Sequence, residues 1–216
     1  MIKRLFDIVF SFLGLTILSP LFIILMILIS CSSKGGPFFC GPRVGKNGKM
    51  FKIIKFRSMK KDCEGKGKWN VGDKDPRITK MGHFLRKTKL DELPQLINVL
   101  IGQMSFVGYR PELKFYIDMY TDKEKPILDL KPGITDWASM VNMKQFEGFT
   151  KADDPDEYYL NVVRPLKLEL QLYYRYHHNI FSDFYILLLT ALKVFTRSNK
   201  LPRKIQSIVS NYYLNK

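Results

Sequence analysis

The chain has 216 residues, 46% of them apolar, with 35 lysines and arginines against 20 aspartates and glutamates. That length and apolar content suit one domain, or one domain plus a membrane anchor, with enough core that disorder is not the default reading. The formal charge of +15 selects anionic partners: nucleic acid, lipid headgroups or phosphorylated substrates.

From Ile8 to Ser33 no side chain is charged, while Lys3 and Arg4 precede the run. About 20 apolar residues reach across a bilayer, so the stretch is read as a membrane segment. It is too long for the apolar region of a cleaved signal peptide, and no small-residue cleavage site follows it. Ser19-Pro20 sits near its middle. Pro20 has no N–H and its ring clashes with the carbonyl of Thr16, which predicts a kink or break that Ser19 can soften by bonding locally. A kinked spanning helix is one reading. Basic residues stand on both flanks, however, with Lys34, Arg43, Lys46 and Lys49 following the segment. Both flanks prefer the cytoplasmic side, which favours a helix that enters, turns and leaves on one side. Cys31, Cys40 and Cys63 have neither CxxC spacing nor a paired histidine motif, and read as reduced thiols.

Beyond the anchor, the alternation from Phe51 to Arg57 predicts a short strand. Residues 65 to 74, crowded with Gly and Lys, read as a loop. Met81 to Leu100 has a helical pattern interrupted by Pro94, Lys131-Pro-Gly133 marks a turn, and residues 156 to 176 predict a helix. In the tail, Phe184, Leu187, Leu188 and Ala191 share one helical face, with Lys193 and Arg197 near its end. Ile205, Ile208, Val209, Tyr212 and Tyr213 repeat the pattern behind Lys200, Arg203 and Lys204. Such helices pack on a core or lie in the headgroup layer.

Two clusters carry candidate chemistry. Arg86-Lys-Thr-Lys-Leu-Asp-Glu-Leu-Pro-Gln95 sets cations just before adjacent carboxylates. Proline is tolerated near a helix start, which predicts a helix beginning around Asp91, with Asp91 and Glu92 at its positive end. A plain N-cap and first-turn acid fit the same pattern. In Ser105-Phe-Val-Gly-Tyr-Arg-Pro-Glu112, Gly108 and Pro111 shape a loop around Arg110. The guanidinium fork of Arg110 suits phosphate, although a surface turn explains it equally well. Lys55-Phe-Arg57 adds two cations. The Gly41–Lys49 stretch lacks P-loop spacing, the acids at Asp153, Asp154, Asp156 and Glu157 read as a solvated loop, and His83, His177 and His178 lack metal-ligand spacing.

Together these features resemble the small monotopic phosphoglycosyl transferases, or bacterial sugar transferases. The resemblance runs from Lys3 to about Arg197. It rests on Lys3-Arg-Leu-Phe-Asp7, Ser19-Pro20, Lys55-Phe-Arg-Ser-Met59, Asp75-Pro-Arg-Ile-Thr79, Leu90-Asp-Glu-Leu-Pro-Gln95, Val107-Gly-Tyr-Arg-Pro111 and Lys131-Pro-Gly-Ile-Thr135. It implies an α+β, mainly helical fold: a re-entrant membrane helix hairpin over residues 1–33, broken at Ser19 and Pro20, then a catalytic domain over 34–216. That domain would contain a short β element and interfacial amphipathic helices.

The resemblance also implies transfer of a sugar-1-phosphate from a UDP-sugar to polyprenol (undecaprenyl) phosphate with release of UMP. This would be the first membrane step in assembling a glycan such as a capsule, O-antigen or glycoprotein. Asp91 would be the nucleophile and form an aspartyl-phosphosugar, with Glu92 beside it. Mg²⁺ would be held by Asp91, Glu92 or both. Lys55, Arg57, Arg86, Thr88, Arg110 and Pro111 would bind substrate. The implied location is the cytoplasmic face of the bacterial inner membrane, with the bilayer as a partner, no nucleic acid beyond the nucleotide, and homodimerisation left open. The sequence departs from the family pattern at Tyr109, where proline is usual, at Asp136, where glycine is common, and at Ser139-Met-Val in place of Gln-Val-Asn. These departures bear on the sugar, not on the reaction. The competing reading is a membrane-tethered basic protein that binds nucleic acid or lipid without catalysis, although neither a helix-turn-helix nor an RNP motif is legible.

Overall fold

The computed structural model describes residues 2–32, 34–61, 75–141, 155–196 and 201–214. Over these described residues it is α+β and mainly helical, with two small sheets of two strands each. The chain forms two compact units, Met1–Ser105 and Phe106–Lys216. The loop expected over residues 65–74, the acidic run from Asp153, and the cations Arg197 and Lys200 lie wholly or partly outside the described residues.

The first unit opens with α1 (Ile2–Ile17) and α2 (Ser19–Ser32), bent by 62° at the break. The Ser19 hydroxyl donates to the carbonyl of Thr16 at 2.8 Å, the acceptor that Pro20 cannot serve. No single helix among the described residues is long and apolar enough to cross a membrane, although the bent pair passes the test together.

The polarity of α1 is inverted relative to a soluble surface helix. Asp7 and Ser11 are buried, while Leu5, Phe10, Phe12 and Ile17 are exposed. Phe22, Leu25 and Ile29 of α2 pack with Phe56 and Leu85, leaving Ile23, Ile24 and Ile27 exposed.

Strands β1 (Phe38–Val44) and β2 (Met50–Phe56) form an antiparallel hairpin in which Phe39 faces Lys55. The hairpin turns through Asn47 and Gly48, both at positive φ. Helix α3 (Lys80–Thr88) is capped by Thr79, whose hydroxyl accepts from Gly82 N at 2.9 Å, and ends on Lys89 in the left-handed region at φ 60°.

The segment from Leu90 corrects the sequence expectation. No helix begins at Asp91, and its carboxylate is not an N-cap. A 3₁₀ turn covers Leu90–Glu92, and α4 (Gln95–Leu100) starts only after Pro94. An α-helix continued from Leu90 would drive the Pro94 ring into the Leu90 carbonyl, and the tighter turn avoids this. At six residues, α4 is too short for a helix dipole to organise anions around Asp91.

Strand β3 (Ser105–Val107), which starts on the last residue of the first unit, pairs with β4 (Gly133–Thr135). Two of the sequence motifs meet here: Gly108 N donates to Thr135 O at 3.1 Å and Gly133 N to Tyr109 O at 2.8 Å. A Cβ on Gly133 would lie 2.1 Å from Gly108 N, so only bare backbone allows this approach. The short helices α5 (Lys114–Ile117) and α6 (Trp137–Met140) flank β4 in the sequence.

The helix expected over 156–176 is in three parts: α7 (Pro155–Tyr158), a π-helical turn over Tyr159–Val163, and α8 (Arg164–His177). Pro165 near the start of α8 has no N–H for the preceding turn, which accounts for the widening before it. Helices α9 (Ile180–Thr196) and α10 (Arg203–Leu214) complete the second unit.

Val107, Trp137, Leu166, Leu170, Tyr174, Ile186 and Ile205 form its core, with Ile208, Val209 and Tyr212 packed against them. Helix α10 thus takes the packing role. In α9, Asp183 and Ile186 are buried, and Phe181, Phe184, Leu188 and Leu192 are exposed.

Candidate active site

Within the first unit the structure gathers Lys55, Arg86, Asp91 and Glu92. Lys55 stands near the end of β2 and Arg86 on α3, and the carboxylates occupy the 3₁₀ turn between α3 and α4. Successive residues of such a turn point about 120° apart, so the two acids face different partners. Glu92 accepts from Lys55 Nζ at 3.0 Å, with both side chains largely buried. Asp91 is 8% exposed, and among the described residues its Oδ1 is buried without a hydrogen-bond partner.

Burial pushes the Asp91 carboxyl above its ordinary pKa, and the Glu92 charge adds to the rise. Lys55, Lys89 and Arg86 pull in the opposite direction. A carboxylate in the field of three cations is suited to meeting a polyanion, because the cations neutralise phosphate charge that would otherwise repel it.

The positive potential at Asp91 therefore comes from side chains, not from a helix end. Lys89, which the sequence reading did not assign to the site, is one of them, and the basic run from Arg86 carried its signal. Gln95 was also unassigned: it is 1% exposed, with Nε2 unpartnered among the described residues.

The remaining candidates have other surroundings. Arg57 is buried, and its guanidinium donates to Gly36 O at 2.9 Å and Phe38 O at 2.8 Å, tying the end of β2 to the start of β1. Arg86 Nε donates to Ser58 Oγ at 2.9 Å. Thr88 is exposed, and its hydroxyl donates to Phe84 O at 2.8 Å. Arg110 and Pro111 belong to the second unit, half-buried and buried respectively, just after the Gly108 crossing.

Next to them Glu112 accepts from Lys167 Nζ and from the Tyr159 hydroxyl at 2.9 Å, and Tyr120 donates to its other oxygen at 3.3 Å. Burial works to raise the Glu112 carboxyl, but Lys167, with the Tyr159 hydroxyl and the Arg164 charge, outweighs it and holds the pKa below the usual range. The Tyr159 hydroxyl is pushed up to about 12, mainly by burial. Of the family departures, Tyr109 is fully buried, and Asp136 caps α6 by accepting from Ser139 N at 2.7 Å.

Among the described residues no group of three or more His, Cys, Asp or Glu side chains could hold a metal. A dedicated protein cage is therefore not what these residues offer. The orphaned Asp91 oxygen beside Glu92 suits Mg²⁺, which binds through one or two carboxylates and completes its shell with substrate phosphates and water.

The family model for bacterial sugar transferases matches residues 1–197. A UDP-N-acetylgalactosamine-undecaprenyl-phosphate N-acetylgalactosaminephosphotransferase of Aeromonas hydrophila is 35% identical over 199 residues, spanning 90% of this chain and 44% of that protein. The UDP-glucose:undecaprenyl-phosphate glucose-1-phosphate transferase of Escherichia coli (strain K12) is 37% identical over 198 residues, spanning 90% of this chain and 40% of that protein. The uncharacterized sugar transferase EpsL of Bacillus subtilis (strain 168) is 35% identical over 193 residues, spanning 89% of this chain and 87% of that protein. The chain thus spans less than half the length of the first two and most of the third.

Proposed function

The chain belongs to the bacterial sugar transferase family, and on that footing we propose that it moves a sugar-1-phosphate from a UDP-sugar to undecaprenyl phosphate and releases UMP. The observation that carries this reading is Asp91, a buried carboxylate with an unpartnered oxygen among Lys55, Lys89 and Arg86.

In the proposed reaction a carboxylate oxygen of Asp91 attacks the β-phosphorus of the UDP-sugar. The bond from that phosphorus to the bridging oxygen breaks, and UMP leaves with the oxygen and its electron pair. An aspartyl-phosphosugar remains. A phosphate oxygen of the polyprenol then attacks the same phosphorus and frees the carboxylate. Lys55, Arg86 and Lys89 neutralise the diphosphate as Asp91 approaches, and Lys55 also holds Glu92 in place. Mg²⁺ bound by Asp91, Glu92 or both would supply further neutralisation of the phosphate charge. Arg110 of the second unit is assigned to phosphate, through its planar fork.

The bilayer is the meeting place of the two substrates. The outward apolar surface of α1 and α2, the 62° bend and the basic flanks support a re-entrant anchor that leaves the rest of the chain on the cytoplasmic face of the plasma membrane. The exposed row Phe181, Phe184, Leu188 and Leu192 on α9 supports a helix lying in the headgroup layer. The product would enter assembly of a surface glycan.

The test is Mg²⁺-dependent release of UMP by purified protein, given undecaprenyl phosphate and a panel of UDP-sugars. One or a few sugars should support turnover. Release from none of them would overturn the reading.

A further inference from the structure

The short helix α4, which follows the Asp91-Glu92 turn, is gripped from two sides. On one side is β2: Asn98 accepts from Ile54 N at 2.9 Å and donates to Lys52 O at 2.8 Å, three residues before Lys55. On the other side is the polar face of α1. Arg4 forks across the last carbonyls of α4, donating to Val99 O at 2.6 Å and Leu100 O at 2.8 Å. Val99 O also accepts from Gly102 N at 3.0 Å, just past the helix, and a cation at a helix C-terminus is favourable.

Gly102 makes room for the fork, because a Cβ there would lie 3.1 Å from Arg4 Nη2. One turn further along α1, Asp7 is 2% exposed and accepts from Ser105 Oγ at 3.0 Å. Ser11 is fully buried, and Gly14 lies against Leu96 of α4. Residues 4, 7, 11 and 14 follow helical spacing, so a single stripe of α1 runs along α4 while the opposite surface remains apolar.

We propose that this stripe makes the membrane helix a positioning element for catalysis: Arg4 and Asp7 hold α4 and the segment after it, and so fix the turn bearing Asp91 and Glu92. A six-residue helix has little stability of its own, so its place is set by what grips it. The proposal rests on the phosphotransfer reading above, and it gives the anchor a second task besides holding the enzyme at the bilayer. Arg4 and Asp7 are positioning residues, acting through α4 and not on substrate.

The test uses the full chain in vesicles of phosphatidylethanolamine and phosphatidylglycerol. Wild type is compared with Arg4→Lys, which keeps the flanking charge but lacks the rigid planar fork that spans the two carbonyls, and with Ser105→Ala, which removes one donor to Asp7 without touching α1. Turnover and KM come from UMP release, topology from the labelling side of a cysteine at residue 2, and folding from thermal melts.

Both variants should lose about tenfold or more in kcat, because small displacements of a reacting group are costly. KM for the UDP-sugar should stay within about twofold, since Lys55 and Arg86 sit on other elements. The labelling side and folding should be unchanged. Should Arg4→Lys not fold, Ser105→Ala decides alone. Wild-type kcat in the folded variants would overturn the proposal. So would a loss confined to Arg4→Lys that accompanies a switched labelling side, or a loss that tracks unfolding in both. Absence of UMP release from wild type would instead overturn the reading on which the proposal depends, and the proposal with it.

Discussion

Replacing Lys167 with methionine keeps most of the apolar stem and removes the cation from a buried carboxylate. Glu112 is 5% exposed and Lys167 9%. Breaking such a pair from one side costs about 3–5 kcal/mol, chiefly because the surviving charge is left buried. Here the Tyr159 and Tyr120 hydroxyls continue to donate to Glu112, which puts the expected cost near the lower end, about 3 kcal/mol. For a chain of this length that corresponds to a melting temperature lower by roughly 6–12 °C. Adding Glu112→Gln should recover most of the loss, because no buried carboxylate is then left without its lysine.

The pH dependence has a definite sign. The Glu112 pKa is depressed in the folded protein, so its contribution is complete above its ordinary value of 4.5 and is lost as pH falls through the folded value. In Lys167→Met, burial acts without the lysine and raises that pKa. The penalty should therefore shrink as pH drops from neutral to about 5. Thermal melts of wild type and both variants across that range are the assay. A single variant melting within about 2 °C of wild type, or a penalty that grows in acid, would show that Lys167 does not compensate a buried Glu112 charge.

Pro20→Ala restores a donor for Thr16 O and should straighten the break, moving the chain towards a spanning topology; labelling of a cysteine at residue 2 reports the change. If that residue is already labelled from the periplasmic side in wild type, the re-entrant reading is wrong. Arg110→Lys should lose most of the activity while the protein still folds, since lysine keeps the charge without the fork; near-wild-type turnover would reduce Arg110 to a turn residue. Chelation with EDTA should abolish UMP release, and added Mg²⁺ should restore it. Activity that persists in chelator would remove the metal from the account.

Features encoded over a few residues were legible in the sequence. Ser19-Pro20 announced the break, and the Ser19 hydroxyl indeed serves the carbonyl that proline abandons. The strand read over Phe51–Arg57 is β2, shifted by one residue. Its partner β1 went unread because Gly41 and Pro42 interrupt the pattern, yet Asn47-Gly48 carried a hairpin signal that could have found it. Pro94 reads as an interruption near a helix start, but the helix begins after it and leaves Asp91 in a 3₁₀ turn.

What could not be read locally lies far apart in the chain. Asp7 meets Ser105, and Glu112 meets Lys167. No short pattern encodes such pairs, because each residue alone looks like an ordinary surface polar group. Arg57 looked like a free cation for the same reason, until its partners Gly36 and Phe38 were located.

In the proposed reaction Asp91 carries the phosphosugar. Wild-type enzyme given a UDP-sugar that supports turnover and Mg²⁺, without polyprenol phosphate, should release at most one UMP per active site, apart from slow hydrolysis. After acid quenching, mass spectrometry should find a phosphosugar on the peptide containing Asp91. Asp91→Asn should show neither the burst nor the adduct, because an amide is a poor nucleophile. No UMP release until lipid is added, or an adduct on Glu92 or on neither acid, would contradict the account.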